Sequence, residues 1–164
     1  MASGRVLVTG GDGQVGRALR DLLPGGDFRS HAELDVTDPG AVAAAVQGAG
    51  VVVHTAAMTA VDACEADPER AAAVNDRGTE AVAAAARACG RKVVYLSTDY
   101  VFAGDAAPYS EDDPTGPLNV YGRTKLAGEG HLDPERDLVV RTSWLFGDGR
   151  NFVRTILAAA AKGT

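Results

Sequence analysis

The chain has 164 residues, a formal net charge of −6 at pH 7 and a pI near 5.0. This length fits one domain with a sizeable core, and a hydrophobic share of 46% is ordinary for a globular protein. The acidic balance and the absence of a Lys/Arg cluster argue against a nucleic-acid surface. No apolar run is long enough for a signal peptide or a membrane span, so we expect a cytoplasmic protein with no membrane partner.

Cysteine and histidine spacing gives no support for a metal centre or a disulfide framework. Cys64 and Cys89 form no CxxC motif, so reduced and buried thiols are expected. His31, His54 and His131 are scattered and have no partners at metal-ligand spacing, so no metal site is predicted.

Short apolar runs alternate with Ala-rich helical stretches along the chain. Strands are predicted over residues 5–10, 27–30, 50–56, 92–98 and 137–144. Helices are predicted over residues 14–23, from Asp38 with Pro39 in the first position, over 67–90, around Tyr121, and over 151–162. An acid- and Pro-rich loop over residues 99–118 exceeds the usual connection length, which makes a functional role probable on length alone. The alternation predicts a doubly wound, Rossmann-type α/β domain over residues 1–164, with a mostly parallel sheet flanked by helices on both faces.

The turn after the first strand, TGGDGQVG, is rich in glycine. Gly10, Gly13 and Gly16 give GxxGxxG, and Gly11 with the last two gives GxGxxG. Glycines permit the tight turn, the close approach of the backbone to a pyrophosphate, and the packing of helix on sheet. The helix N-terminus that follows offers N–H groups to the phosphates. Because a strand precedes this turn and a helix follows it, we predict a dinucleotide site in preference to a structural turn.

The nicotinamide cofactor is selected by residues after the second strand. A ribose-binding acid usually ends this strand, but Arg29, Ser30 and His31 occupy the place here. Arg29 and Ser30 could hold a 2′-phosphate, which favours NADPH and leaves NADH open; the alternative is a solvated Arg29. Asp35 is expected nearer the end of a third strand, beside the adenine and not on the ribose.

Polar side chains after the strand over residues 92–98 suggest the chemistry. Ser97, Thr98 and Asp99 end a central strand, where ligands bind in open α/β sheets, although a hydroxyl there could simply cap the next turn. Tyr121 and Lys125 are four residues apart and share a helix face. A tyrosine, with an ordinary pKa of about 10, needs its anion stabilised to exchange protons near neutral pH. We therefore predict that Lys125 lowers the pKa of Tyr121 and grips the nicotinamide ribose.

Four motifs in order resemble the dTDP-4-dehydrorhamnose reductases of the extended short-chain dehydrogenase/reductase superfamily: TGGDGQVG, AAMTAVDACE, STDYVF and PLNVYGRTKLAGE. The similarity continues through RTSWLFG and NFVRTILAAA. It implies NAD(P)H-dependent hydride transfer to C4 of a nucleotide sugar, dTDP-4-dehydro-L-rhamnose, to give dTDP-L-rhamnose. Members of the family continue into a C-terminal substrate domain, which the 164 residues are not expected to include. The chain is therefore expected to be either a fragment or a truncated form that keeps the cofactor half.

The resemblance also implies roles for individual residues. Those expected along the cofactor are Gly13, Gln14 and Val15 at the pyrophosphate, Asp35 and Val36 at the adenine, and Ala57, Met58 and Thr59 behind the fourth strand. Those expected at the substrate are Thr98 on the carbonyl, Asp99 beside it, Tyr121 as proton donor, Lys125 as its support, and Trp144 at the sugar. For Ala57, Met58 and Trp144, simple packing is the alternative.

Other members of the superfamily give competing interpretations. Sugar-nucleotide 4,6-dehydratases carry an Asp-Glu pair after the threonine, whereas Tyr100 follows Asp99 here, so dehydration is disfavoured. A 4-epimerase, which usually has a different strand-end signature, ranks low, and another nucleotide-sugar 4-ketoreductase stays open. A non-catalytic NADP-binding subunit, similar to the regulatory subunit of methionine adenosyltransferase, could keep the same motifs. A homodimer is left open, and magnesium is not carried over because Ala18 replaces the acidic residue implied by the family.

Overall fold

One parallel sheet forms the centre of the computed structural model, which describes residues 4–105, 108–147 and 151–162. Its strands are β1 Arg5–Thr9, β2 Asp27–Arg29, β3 Ala49–His54, β4 Lys92–Thr98 and β5 Leu138–Thr142. The order across the sheet is β2-β1-β3-β4-β5, and each neighbouring pair is parallel. The predicted Rossmann-type α/β fold is confirmed.

Helices lie between these strands and after the last one. They are α1 Gln14–Leu22, α2 Pro39–Gln47, α3 Val61–Ala66, α4 Pro68–Ala72, α5 Gly78–Ala88, α6 Val120–Glu129 and α7 Phe152–Ala161. A π-helical segment, Ala73–Arg77, joins α4 to α5, and a 3-10 turn, Asp99–Val101, follows β4. Residues 67–90 are thus not the uniform helix that was predicted. Within the described residues, no helix has the length and apolar character needed to cross a membrane.

The third strand expected near Asp35 does not form. Residues 31–38 adopt turns and irregular structure. The Asp35 carboxylate accepts hydrogen bonds from the backbone N–H of Thr37 at 2.9 Å and from its hydroxyl at 2.7 Å, a pattern typical of a turn. The strand before Ala57, Met58 and Thr59 is therefore the third, and the predicted fourth position was wrong. The strand order reverses at β1 and β3, and ligands of open α/β sheets bind at such a point.

The main core lies on one face of the sheet. Side chains of the central strands pack there against α2 and α5, and Val42, Val52 and Val82 are each 0% exposed. The other face is covered less completely, and the alternate residues of β3 and β4 that point to it are therefore only partly buried. Gly16 is the one buried residue of α1, and none of the ten described residues of α7 is buried. Of the two free cysteines, Cys64 is buried in a smaller cluster and Cys89 is partly exposed.

Gly128 allows α6 to lie close to β4 and to the π-helical segment. A Cβ atom at this position would lie 2.5 Å from the carbonyl oxygen of Asn75 and 2.5 Å from the hydroxyl oxygen of Tyr95. One of these neighbours is backbone, and the other is a fully buried ring. The position of α6, and of every side chain it carries, therefore depends on the absence of a side chain here.

We expect Gly128→Ala to lower the free energy of unfolding by about 1–2 kcal/mol, because overpacking, at up to about 3 kcal/mol, outweighs the better helix propensity of alanine, about 1 kcal/mol. Urea unfolding followed by circular dichroism measures the change. The matched control is Gly48→Ala just after α2, where a Cβ would meet nothing within 4 Å. Equal effects of the two substitutions would contradict the close approach of α6.

Candidate functional site

A cavity of about 610 Å³ opens along the carboxyl ends of the central strands. This volume lies within the range of about 300–1,000 Å³ that is common for small-molecule sites. Within the described ranges, no group of three or more His, Cys, Asp or Glu residues could hold a metal ion. The predicted residues that line the cavity are Gly10, Gly13, Gln14, Val15, Asp35, Val36, Ala57, Met58, Thr59, Thr98, Asp99, Tyr121, Lys125 and Trp144.

The glycine turn forms one end of this cavity. Gly10 has a φ of +69°, in the left-handed region, and a Cβ there would lie 2.8 Å from the backbone nitrogen of Ala56. Gly16 does not line the cavity; a Cβ on it would lie 2.5 Å from the carbonyl oxygen of Gly10, so it serves the packing of α1 on the turn. Gly13 precedes α1, and no side chain caps that helix. The first amides of α1 are thus left to a ligand, which fits a pyrophosphate.

The structure does not bring Arg29 and Ser30 into the cavity. The guanidinium of Arg29 donates to both carboxylate oxygens of Asp27, at 2.6 and 3.0 Å, and this hydrogen bonding raises the pKa of Arg29. Both residues are in β2 and two apart, so their side chains share a face. The Ser30 hydroxyl donates to Glu33 at 2.7 Å. The side chains of Arg29 and Ser30 are therefore engaged in local pairs and are not directed at a 2′-phosphate.

Two residues missed by the sequence analysis line the same end of the cavity, next to Asp35. His31 directly follows the Arg29–Ser30 pair, and Arg70 lies in the short helix α4. The hydrogen bonds from Thr37 are the main cause of the lowered pKa of Asp35, and the charges of His31 and Arg70 act in the same direction. The only signal in the sequence was the position of His31 after a short strand. Arg70 gave none, because the π-helical segment that orients α4 was not predicted.

Thr98 combines the capping role and the cavity role. Its hydroxyl accepts a hydrogen bond from the backbone N–H of Tyr100 at 3.2 Å and donates to Asp99 at 3.1 Å. The hydroxyl thus caps the 3-10 turn, as the structural alternative foresaw. The residue nevertheless lines the cavity and is only 5% exposed. Capping therefore fixes the hydroxyl at the edge of the site and does not remove it from the site.

Tyr121 lies in the first turn of α6, and two side chains fix the start of that helix. Asn119 accepts a hydrogen bond from the backbone N–H of Gly122 at 2.7 Å, and Glu65 accepts one from that of Val120 at 2.6 Å. The ring of Tyr121 meets the ring of Tyr100 edge-on, with centroids 5.6 Å apart. Burial raises the pKa of Tyr121, and hydrogen bonding with Thr98 offsets part of this rise.

Lys125 does not lower the pKa of Tyr121, contrary to the prediction. Its ammonium donates to the carbonyl oxygen of Leu96 at 2.8 Å and lies 4.0 Å from the centroid of the Tyr95 ring. The amine is thus directed at β4 and not at the phenol. Burial lowers the pKa of Lys125 to about 7, although the charge of Glu129, one helical turn along, raises it. The two residues share the cavity, but burial dominates the pKa of each.

A buried amide in the π-helical segment connects two walls of the cavity. Asn75 accepts from the backbone N–H of Met58 at 2.8 Å, and it donates to the Met58 carbonyl at 3.0 Å and to the Thr124 hydroxyl at 3.1 Å. π-Helical turns are frequent at functional sites. Asn75 was not predicted from the sequence, where the available signal was a polar residue on the apolar side of a helical run. Its bonds fix Met58, on the lining, relative to α6.

An ion pair behind the cavity links α6 to β5. Arg141 donates to Glu129 with Nη2 at 2.7 Å and with Nε at 3.0 Å, and the Ser97 hydroxyl also donates to Glu129. A further nitrogen of Arg141 donates to the carbonyl of Glu111 at 3.1 Å, and the guanidinium lies 5.0 Å from the centroid of the Phe102 ring. The pair therefore anchors the loop over residues 99–118 to the sheet.

Trp144 lines the cavity but does not belong to the core. It is 63% exposed, and its ring packs against Phe152 with centroids 4.4 Å apart. Its φ of 45° lies in the left-handed region, which is rare and costly for a large side chain. This conformation follows the end of β5 at Thr142, so the strand predicted to residue 144 is shorter. The packing alternative for Trp144 as a core residue was wrong.

The fold and the cavity together are those of a Rossmann-type domain of the short-chain dehydrogenase/reductase class. A profile for the RmlD substrate binding domain family matches residues 4–164, and the chain belongs to that family. It is 46% identical, over 96% of its length, to dTDP-4-dehydrorhamnose reductase of Streptomyces griseus, and covers 55% of that protein. It is 44% identical, over 97% of its length, to a probable dTDP-4,6-dihydroxy-2-methyloxan-3-one 4-ketoreductase of Streptomyces antibioticus, and covers 58% of it.

The solved structures agree with these sequence relatives. The dTDP-4-dehydrorhamnose reductase of Bacillus anthracis in complex with NADP is similar to this chain with a TM-score of 0.89 and 37% identity. That similarity covers 99% of this chain and 61% of the other. The chain thus spans little more than half the length of the relatives it matches.

Lys125→Met is expected to stabilise the chain by about 2 kcal/mol at pH 6 and to lose this advantage towards pH 10. Below the folded-state pKa of about 7, the native chain holds a buried charge that water solvates in the unfolded chain. As the pH rises from there towards the unfolded-state pKa of about 10.4, this cost disappears. Urea midpoints at three pH values measure it. The exposed Lys92→Met is the control, and a gain that does not change with pH would contradict the assignment.

Proposed function

We propose that this chain is the cofactor-binding part of a dTDP-4-dehydrorhamnose reductase, with residues 1–164 as a single dinucleotide-binding domain. The reaction is hydride transfer from NADPH, or less preferably NADH, to C4 of dTDP-4-dehydro-L-rhamnose, which gives dTDP-L-rhamnose. One observation carries the proposal: Thr98, Tyr121 and Lys125 line the same cavity as the glycine turn. The two relatives named above that carry the reductase name support the choice of substrate.

The residues of the cavity fit a dinucleotide along its whole length. The uncapped amides that follow Gly13 would bind the pyrophosphate, and Asp35 would lie at the adenine. When bound, the cofactor supplies the hydride. Because Arg29 is paired with Asp27, Arg70 takes over the proposed contact with the 2′-phosphate; within the described residues its guanidinium has no carboxylate within 4 Å. The remaining proposed contacts are Gln14, Val15, Val36, Ala57, Met58 and Thr59.

The protein's part in the reduction is to deliver a proton to the sugar oxygen. As hydride reaches C4, negative charge develops on the carbonyl oxygen, and hydrogen bonds from Thr98 and Tyr121 would stabilise it. Tyr121 then transfers its proton to this oxygen, which completes the alcohol, and the phenolate regains a proton from water. A pKa raised by burial keeps Tyr121 protonated, which suits a general acid. Lys125, which lines the cavity, would hold the ribose, with Asp99 and Trp144 at the sugar.

A related candidate is the reduction of a different nucleotide-linked 4-keto sugar. The 44% identity to the probable ketoreductase of Streptomyces antibioticus is close to the 46% shared with the Streptomyces griseus reductase. Sequence similarity of this size does not separate the two substrates. Parallel assays with both keto sugars would separate them by the ratio of kcat/KM.

Arg70→Ala is expected to weaken NADPH binding to the 164-residue chain about tenfold, because a charge-assisted contact to the 2′-phosphate is lost. The affinity for NADH should change less than about twofold, since NADH lacks that phosphate. Fluorescence titration with both cofactors measures this. Arg29→Ala is the matched control, with no expected change for either cofactor. Weakening by Arg29→Ala alone would restore the role first predicted for Arg29.

Tyr121→Phe is expected to lower kcat at least about a hundredfold in the protein encoded by the complete reading frame, because the general acid is removed. NADPH affinity should stay within about twofold, since the ring remains. The assay follows NADPH absorbance with dTDP-4-dehydro-L-rhamnose. Tyr109→Phe, in the loop outside the cavity, controls for the loss of a phenol hydroxyl. A Tyr121→Phe enzyme with near-normal kcat would exclude Tyr121 as the acid.

A further inference from the structure

The ammonium of Lys125 is deeply buried and has few polar partners. Lys125 is 2% exposed, and within the described residues its one hydrogen-bond acceptor is the carbonyl oxygen of Leu96. An ammonium has three N–H donors. The nearest aromatic face is that of Tyr95, which is 0% exposed, with its centroid 4.0 Å from Nζ. A ring at this distance attracts a cation, most strongly when water is excluded.

We propose that Tyr95 is a positioning residue of the site, whose ring holds the Lys125 ammonium charged and in place against the Leu96 carbonyl. The inference rests on the proposed function of Lys125 and adds the means by which a buried lysine keeps its charge. Tyr95 does not line the cavity, so it acts through Lys125 and not on the ligand.

The Tyr95 ring is itself fixed by its neighbours. His54 stacks against it with centroids 5.5 Å apart and an interplanar angle of 24°. The Tyr95 hydroxyl donates to the backbone carbonyl of Lys125 at 3.4 Å, and the lack of a side chain at Gly128 leaves room for it. His54 is held in turn by hydrogen bonds to Thr9 at 2.7 Å and to Thr79 at 3.2 Å. The ring is therefore a rigid surface for the ammonium.

The other titratable groups around Lys125 provide one negative charge, and that charge is shared. From β3, His54 is neutral, because burial lowers its pKa to about 3. Tyr95 from β4 and Tyr121 from α6 are protonated, because burial raises the pKa of both. Glu129 on α6 is an anion but pairs with Arg141 of β5.

The charged side chains of the π-helical segment are bonded to other partners than Lys125. Asp76 lies 2.7 Å from His131, Arg77 pairs with Glu69, and Asn75 is uncharged. The α3 carboxylate of Glu65 accepts from the start of α6 and not from Lys125. The aromatic face of Tyr95 is therefore the third contact of the ammonium, beside the Leu96 carbonyl and the shared charge of Glu129.

The test is the pKa of Lys125 in the 164-residue chain, measured by NMR of chains labelled at the lysine ε-carbon. The sequence has three lysines, and Lys125→Met assigns the signal. Tyr95→Phe keeps the ring and should leave the pKa unchanged within about 0.3. Tyr95→Leu removes the ring and should lower the pKa by about 1. Tyr95→Met, whose longer and more flexible side chain can fill an irregular space, gives the same test if the leucine variant does not fold.

Val93→Ala controls for loosened packing, since it opens the same core from the same strand and removes no aromatic ring. It should not move the pKa. An unchanged pKa in both ringless variants would overturn the proposal, and so would an equal fall in Tyr95→Phe, which would assign the effect to the hydroxyl. In the complete enzyme, the ringless variants should move the alkaline limb of the kcat/KM profile to lower pH by about 1, and Tyr95→Phe should not.

The NMR measurement needs neither cofactor nor substrate. Its failure would therefore overturn the role of Tyr95 alone, whereas a chain that binds no NADPH would count against the proposed function alone.

Discussion

The burial of one ammonium against the central sheet is the constraint on which the rest of the site depends. Lys125 reaches the carbonyl of Leu96 only because α6 lies close to β4, and that approach requires the glycine at position 128. The same helix position presents Tyr121 to the cavity and places Glu129 next to Arg141. A single packing contact thus sets the geometry of a phenol, a buried amine and an ion pair.

The two ends of the cavity are built by different physical means. At the glycine turn, backbone amides and the lack of side chains create room and polarity, so the site there depends on conformation more than on side-chain chemistry. At α6, the buried side chains of Tyr121 and Lys125 have pKa values shifted by burial, and hydrogen bonds from Asn75 and Ser97 fix their surroundings. Mutations at the first end act through shape, and those at the second act through charge.

Local patterns predicted the fold and most of the cavity lining, because glycine spacing, apolar runs and the Tyr121–Lys125 pair are properties of short segments. The direction of the Lys125 amine was not predictable, since it depends on β4, whose residues are distant in sequence. The Arg141–Glu129 pair was not predictable either, because it depends on β5 lying next to β4 in the sheet. The Arg29–Asp27 pair was available from the sequence, because residues two apart in a strand share a face. Asp35 was assigned to a strand that does not form, because its carboxylate closes a turn with the backbone N–H and the hydroxyl of Thr37.

The exposed α7 and the segment before it have a consequence for handling the chain in solution. Trp144, Phe146 and Leu157 are more than 60% exposed, so three large apolar side chains of this region face water. Exposed apolar surface favours self-association, while the formal charge of −6 keeps copies of the chain apart by mutual repulsion. Added salt screens that repulsion, so the purified chain should be most soluble in dilute buffer and should aggregate as the ionic strength rises.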